Sequence, residues 1–122
     1  MKELIKEEKK DTPGIDFNAE TGILKISGYS YPENVKSFYN EVFDWLDNYI
    51  KEPNSKTVLE ATIVYFNMAS SKILMELFKK LEAIPSTDLE FNWRYEDDDF
   101  EMELAGEEFA SLLKYEVNLV KS

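Results

Sequence analysis

The run Thr57 to Phe66 constrains this chain more than any other stretch. It is the longest β-branched and apolar segment, and a helical apolar pattern, Ile73 to Leu81, follows almost at once. A strand that turns straight into a helix reaches its next strand by a crossover rather than a hairpin. Along the run, Leu59, Ala61, Ile63 and Tyr65 alternate with Val58, Glu60, Thr62, Val64 and Phe66. Both sets are largely apolar, which predicts a central strand covered on both faces. Glu60 is the exception and implies that one face is partly open.

The rest of the chain fits around that strand. Residues 1–13 are charged, with Leu4-Ile5 the only apolar pair before Pro13; they predict at most a short edge strand, with Lys6 to Asp11 solvated and mobile. Ile15 and Phe17, the turn Ala19 to Gly22, and Ile23 to Gly28 read as a β-hairpin. Ser30 and Glu33 have the spacing of a capping box, with Pro32 in the first turn and Asn34 as the competing N-cap. The helix that follows carries Val35, Phe38, Tyr39, Val42, Phe43, Leu46, Tyr49 and Ile50 on one stripe, with Trp45 beside it. Beyond Pro85, the alternation from Asp88 to Tyr95 predicts a strand. A helix from about Phe100 to Leu113 comes next, with Gly106 placed to divide it, and then a last strand around Tyr115 to Val120. The order β, β-hairpin, α, β, α, β, α, β predicts one α/β domain over residues 1–122, a mixed sheet with helices packed on it.

Residue types narrow the chemistry. The chain has no Cys and no His, so it lacks a thiol nucleophile, a thiolate site, the commonest general base and the commonest transition-metal ligand. Its formal net charge of −11 argues against nucleic acid and anionic membranes as partners. No apolar run has the length of a membrane span, and the charged N-terminus lacks the apolar stretch of a signal peptide, so the expected location is the cytoplasm. The acidic run Glu96, Asp97, Asp98, Asp99, Glu101 and Glu103 either binds a cation or, as its spacing favours, forms a solvated turn whose acids suit the next helix start. Glu60 is either a buried acid with a raised pKa or, as we favour, the partner of a cation such as Arg94. No catalytic set, metal site or cofactor is expected.

The strand-to-helix junction Tyr65 to Lys72 is the candidate functional site. Asn67 or Ser70 caps the helix there, and a helix N-terminus carrying serines favours a phosphate.

These residues also carry a resemblance. Gly28-Tyr29-Ser30-Tyr31-Pro32-Glu33-Asn34, Phe38-Tyr39, Trp45-Leu46 and Tyr65-Phe66-Asn67 with Ser70-Ser71-Lys72 resemble the SiaC family of regulatory phosphoproteins. Thr12-Pro13, Thr21-Gly22, Trp93-Arg94-Tyr95 and Gly106-Glu107 fit as well. The resemblance implies a STAS-like fold and a partner switch. In that family the unphosphorylated protein binds and activates a diguanylate cyclase, a Ser/Thr kinase breaks the contact, and a PP2C-like phosphatase restores it. The family's phosphorylated threonine directly follows the Asn of Tyr-Phe-Asn. Here that position is Met68, so the switch passes to Ser70 or Ser71, with Ser70 preferred as nearer the strand end and more exposed. The expected partner-binding residues lie at two helix starts, Tyr31, Pro32, Glu33 and Asn34 at one, and Asn67, Met68, Ala69, Ser70 and Ser71 at the other. The principal reading is a non-enzymatic signalling regulator. The alternative is a constitutive binding module without a phospho-switch, and a small metal-assisted acidic enzyme ranks last.

Overall fold

The computed structural model describes residues 2–122. Strands β1 (Leu4–Lys6), β2 (Gly14–Asn18) and β3 (Ile23–Ser30) are followed by α1 (Val35–Tyr49), β4 (Thr57–Phe66), α2 (Met68–Lys80), β5 (Leu89–Tyr95), α3 (Phe100–Leu112) and β6 (Val117–Lys121). They form one six-stranded sheet in the order β1-β2-β3-β4-β5-β6. The first three strands are antiparallel neighbours, and β3 to β6 are parallel. This is the mixed sheet that the alternation of elements predicts.

The sheet is covered on one face, not two. Each crossover advances to the neighbouring strand in the same direction, and crossovers of one hand then place every helix on the same side. Leu24, Ile26, Leu59, Ala61, Phe91 and Trp93 are buried beneath the helices with Tyr39, Leu46, Leu74, Leu77, Phe78 and Phe109. On the opposite side of β4, Val58 and Glu60 are half-buried and Thr62 and Val64 exposed. Burying this aliphatic and aromatic set at about 25 cal/mol per Å² is the main force holding the helices to the sheet.

Several local readings change with the structure. The α1 N-cap is Asn34, whose Oδ1 accepts the Ser37 N–H at 3.1 Å. Ser30 does not cap a helix; it ends β3 and is buried. Pro32 therefore lies before the helix rather than in its first turn. Gly106 does not divide α3, which runs unbroken. It lies against Trp93 and Leu119, and a Cβ there would sit 2.5 Å from Trp93 Cδ1. The glycine lets α3 approach the sheet closely. Lys6 to Asp11 is mostly exposed but fastened down. The Ser27 hydroxyl donates to Glu8 at 3.1 Å, the Tyr31 N–H donates to the Asp11 carbonyl at 2.9 Å, and Lys6 pairs with Glu41. Trp45 is half-buried, stacks on Tyr49 and donates from Nε1 to the Lys2 carbonyl, so it anchors the N-terminal segment. Among the described residues no helix is long and apolar enough to cross a membrane.

Candidate functional site

Four parallel strands end on the same edge of the sheet, which is also where all three helices begin. The site forms where β3 and β4 reach that edge. The β3–β4 register runs evenly to Gly28 opposite Ile63, then slips so that Tyr29 lies opposite Tyr65. Val64 is the extra residue of this bulge, and beyond it the side-chain alternation of β4 reverses. Ile63 faces the core, Val64 and Tyr65 both turn outward, and Phe66 turns in to pack on Trp93 and Phe109. Tyr65, expected on the same covered face as Leu59, is 46% exposed instead. Gly28 sits at the slip with a φ of 98°, a conformation that suits glycine.

The bulge assembles an aromatic cluster. Tyr31 lies edge-on to both Tyr29 and Tyr65, with ring centroids 6.4 and 5.8 Å away. Val64 and Met68 extend the surface, and Met68 is 79% exposed. A buried hydroxyl chain underlies this end of the molecule. Ser30 Oγ donates to Ser70 Oγ at 2.8 Å and lies 2.7 Å from the Tyr39 hydroxyl. With its single proton given to Ser70, Ser30 accepts from Tyr39. Burial pushes the Tyr39 phenol up to about 12, so it stays a neutral donor. This chain ties the end of β3 to α1 and α2. The backbone repeats the tie, because the Asn67 N–H donates to the Ser30 carbonyl at 3.1 Å.

The two candidate helix starts thus meet at one edge, but their residues differ in access. Tyr31, Glu33 and Asn34 are exposed and Pro32 is half-buried. Asn67, half-buried, caps α2 by accepting the Ser70 N–H at 2.9 Å. Met68 and Ala69 are exposed and Ser71 half-buried. Ser70 is fully buried, against the expectation that it is the more exposed serine. As the third residue of α2, it points back under the cap toward Ser30. Tyr29 and Val64 join the surface from outside the expected site, and Tyr65, within the candidate junction but not among the expected partner-binding residues, joins it too. The signal for them was Gly28, since an isolated glycine within a strand marks a bulge.

The other chemical candidates have structural partners. Glu60 accepts from Arg94 Nε at 2.7 Å and from Asn92 at 2.9 Å. The Arg94 hydrogen bond holds the Glu60 carboxyl below its ordinary range, the opposite of a raised catalytic acid. Asp99 caps α3 by accepting the Met102 N–H at 3.1 Å, and Asp97 faces Lys121. Among the described residues no group of carboxylates is arranged to hold a metal ion.

Comparison with known proteins bears on the family and the fold. The sequence model of the SiaC family regulatory phosphoproteins matches residues 6–122. An uncharacterized protein of Pseudomonas aeruginosa (strain UCBPP-PA14) is 30% identical over 73 residues, which are 60% of this chain. The matched stretch covers 58% of that relative's length. The solved structure of SiaC of Pseudomonas aeruginosa is similar over 100% of both chains, with a TM-score of 0.89 at 25% identity. A chain of the crystal structure of diguanylate cyclase SiaD in complex with its activator SiaC, from the same species, has a TM-score of 0.89 at 24% identity. It is matched over 99% of its length by 98% of this one. On the near-complete family match, supported by the shared six-stranded fold, this chain belongs to the SiaC family of regulatory phosphoproteins.

Proposed function

We propose that this chain is a non-enzymatic cytoplasmic regulator that binds and controls a diguanylate cyclase through the edge formed by Tyr29, Tyr31, Tyr65 and Met68. The observation that carries this reading is the exposed aromatic and apolar cluster, mounted on a rigid, fully hydrogen-bonded support. Large rings and a methionine side chain held in place at a surface suit a protein contact, because little further ordering is needed on binding. The named complex of SiaD with its activator SiaC supports a cyclase as the partner class.

A phospho-switch on this surface operates through Ser71. Met68 cannot accept a phosphate, and Ser70 lies under the cap, closed to a kinase unless the first turn of α2 opens. A Ser/Thr kinase and a PP2C-like phosphatase then complete the circuit. If neither serine is modified, the same surface acts constitutively, a reading favoured by the exposed Met68 at the position of the family's threonine.

The test is co-purification with a diguanylate cyclase from the same organism, followed by intact-mass analysis after incubation with a neighbouring kinase and ATP. The wild-type chain retains the cyclase, and the Tyr65→Ala/Met68→Asp variant loses affinity by roughly tenfold or more. One added phosphate maps to Ser71. No capture by the wild type, or equal capture by the variant, refutes the docking surface; an unmodified mass refutes only the switch.

A further inference from the structure

The helix layer is not closed. α1 packs closely on α2, whereas α2 and α3 stand apart and leave a groove of about 440 Å³. Phe66 and Phe109 form its floor. Ser71 and Met75 line the α2 bank, and Ala105 and Leu112 the α3 bank. These positions follow helical spacing, so each bank offers one continuous face. Leu112 is 61% exposed at the mouth, a large apolar side chain without cover. The groove has the volume of a small-ligand pocket, which is room for a few side chains rather than a whole helix.

The charges at the rim identify what enters. Glu76 on one bank and Glu108 on the other are both exposed, and Lys72 is the only basic residue of the lining. The groove begins at Ser71, within a turn of Met68, so it continues the proposed docking edge along α2. We infer that this groove receives apolar anchors from one face of an amphipathic helix of the partner, with Lys or Arg side chains flanking those anchors and pairing with Glu76 and Glu108. The inference rests on the proposed function and adds the partner's chemistry. An apolar row at spacings of three and four enters the cleft, and the flanking cations answer the acidic rim. Ser71 lies in the wall, so a phosphate there puts a bulky, hydrated charge into the apolar cleft and opposes entry of the apolar anchors, even though its sign matches the rim.

The probe is a synthetic helical peptide with leucines at i, i+3, i+4 and i+7 flanked by lysines. A control peptide carries glutamate at each lysine position. Binding to the full chain is followed by amide chemical shifts and by anisotropy. The lysine peptide binds with shifts centred on Ser71, Met75, Ala105 and Leu112, and the glutamate peptide binds at least about tenfold more weakly. Leu112→Ser weakens the lysine peptide by a similar factor, and the exposed double swap Glu76→Lys/Glu108→Lys reverses the preference between the peptides. The swap leaves the chain strongly acidic, so general attraction to an acidic protein does not produce that reversal. Shifts scattered over the surface, indifference to Leu112→Ser, or an unchanged preference in the swap each overturn the inference. A chain that captures the cyclase through Tyr65 and Met68 yet ignores Leu112→Ser overturns the groove and leaves the proposed function standing.

Discussion

Ser70 and Ser71 are neighbours in sequence with opposite surroundings. Ser70 is sealed beneath the α2 cap against Ser30, while Ser71 lies in the wall of the groove. A carboxylate at position 70 would be buried without a cation and would break the chain of hydroxyls. Ser70→Glu should therefore lower stability by about 3 kcal/mol or more. Ser71→Glu places its charge near a helix N-terminus with access to water, and should stay within about 1 kcal/mol of wild type. Urea unfolding of both variants checks this, and equal stability would contradict the buried placement of Ser70. A failure of Ser70→Glu to bind a partner therefore reports misfolding as readily as a switch, which makes Ser71→Glu the cleaner mimic.

At the scale of elements, most of the fold was legible in the sequence because periodicity and turn chemistry agree. Thr57–Phe66 is one strand, the hairpin closes at Gly22, and the stripe on α1 is the one that is buried. What escaped the sequence are effects of one element on another. The single covered face follows from the direction of three crossovers, not from the composition of β4. The outward turn of Tyr65 follows from a one-residue slip against β3, and the unbroken α3 from the close approach of Gly106 to Trp93. Of the candidate site, the two helix starts were legible; the part of Tyr29, the outward turn of Tyr65 and the burial of Ser70 were not. The open face of β4 and β5 carries the Glu60–Arg94 pair, which makes a prediction about pH. The folded chain binds the Glu60 proton less readily than the unfolded chain. The pair therefore stabilises above the ordinary carboxylate range, and its contribution is lost as pH falls through the depressed folded value. Both side chains retain solvent contact, so the contribution is below about 1 kcal/mol. Glu60→Gln should lose that amount at neutral pH and show a flatter decline in acid. A steeper acid decline in the variant would contradict the assignment.

At the scale of the molecule, the architecture separates support from contact. One face of the sheet and the underside of three helices make the core. The strand ends and helix starts make the edge on which Tyr29, Tyr31, Tyr65 and Met68 are displayed. Among the described residues the titratable groups that depart from ordinary behaviour, such as Tyr39, Glu60 and Tyr115, are explained by burial or by local partners. The chain belongs to a family of regulatory phosphoproteins, and the proposed function has it act by changing what another protein does. A regulator shifts a partner's equilibrium only by its preference for one of the partner's states, so its effect must saturate with occupancy and vanish with the contact. The most direct measurement is the initial rate of cyclic di-GMP formation by the proposed partner, a diguanylate cyclase, titrated with this chain. The account predicts a rate that rises and saturates with the wild-type chain and stays at the basal value with Tyr65→Ala/Met68→Asp at the same concentration. A rate unaffected by the wild-type chain, or raised equally by the variant, would contradict it.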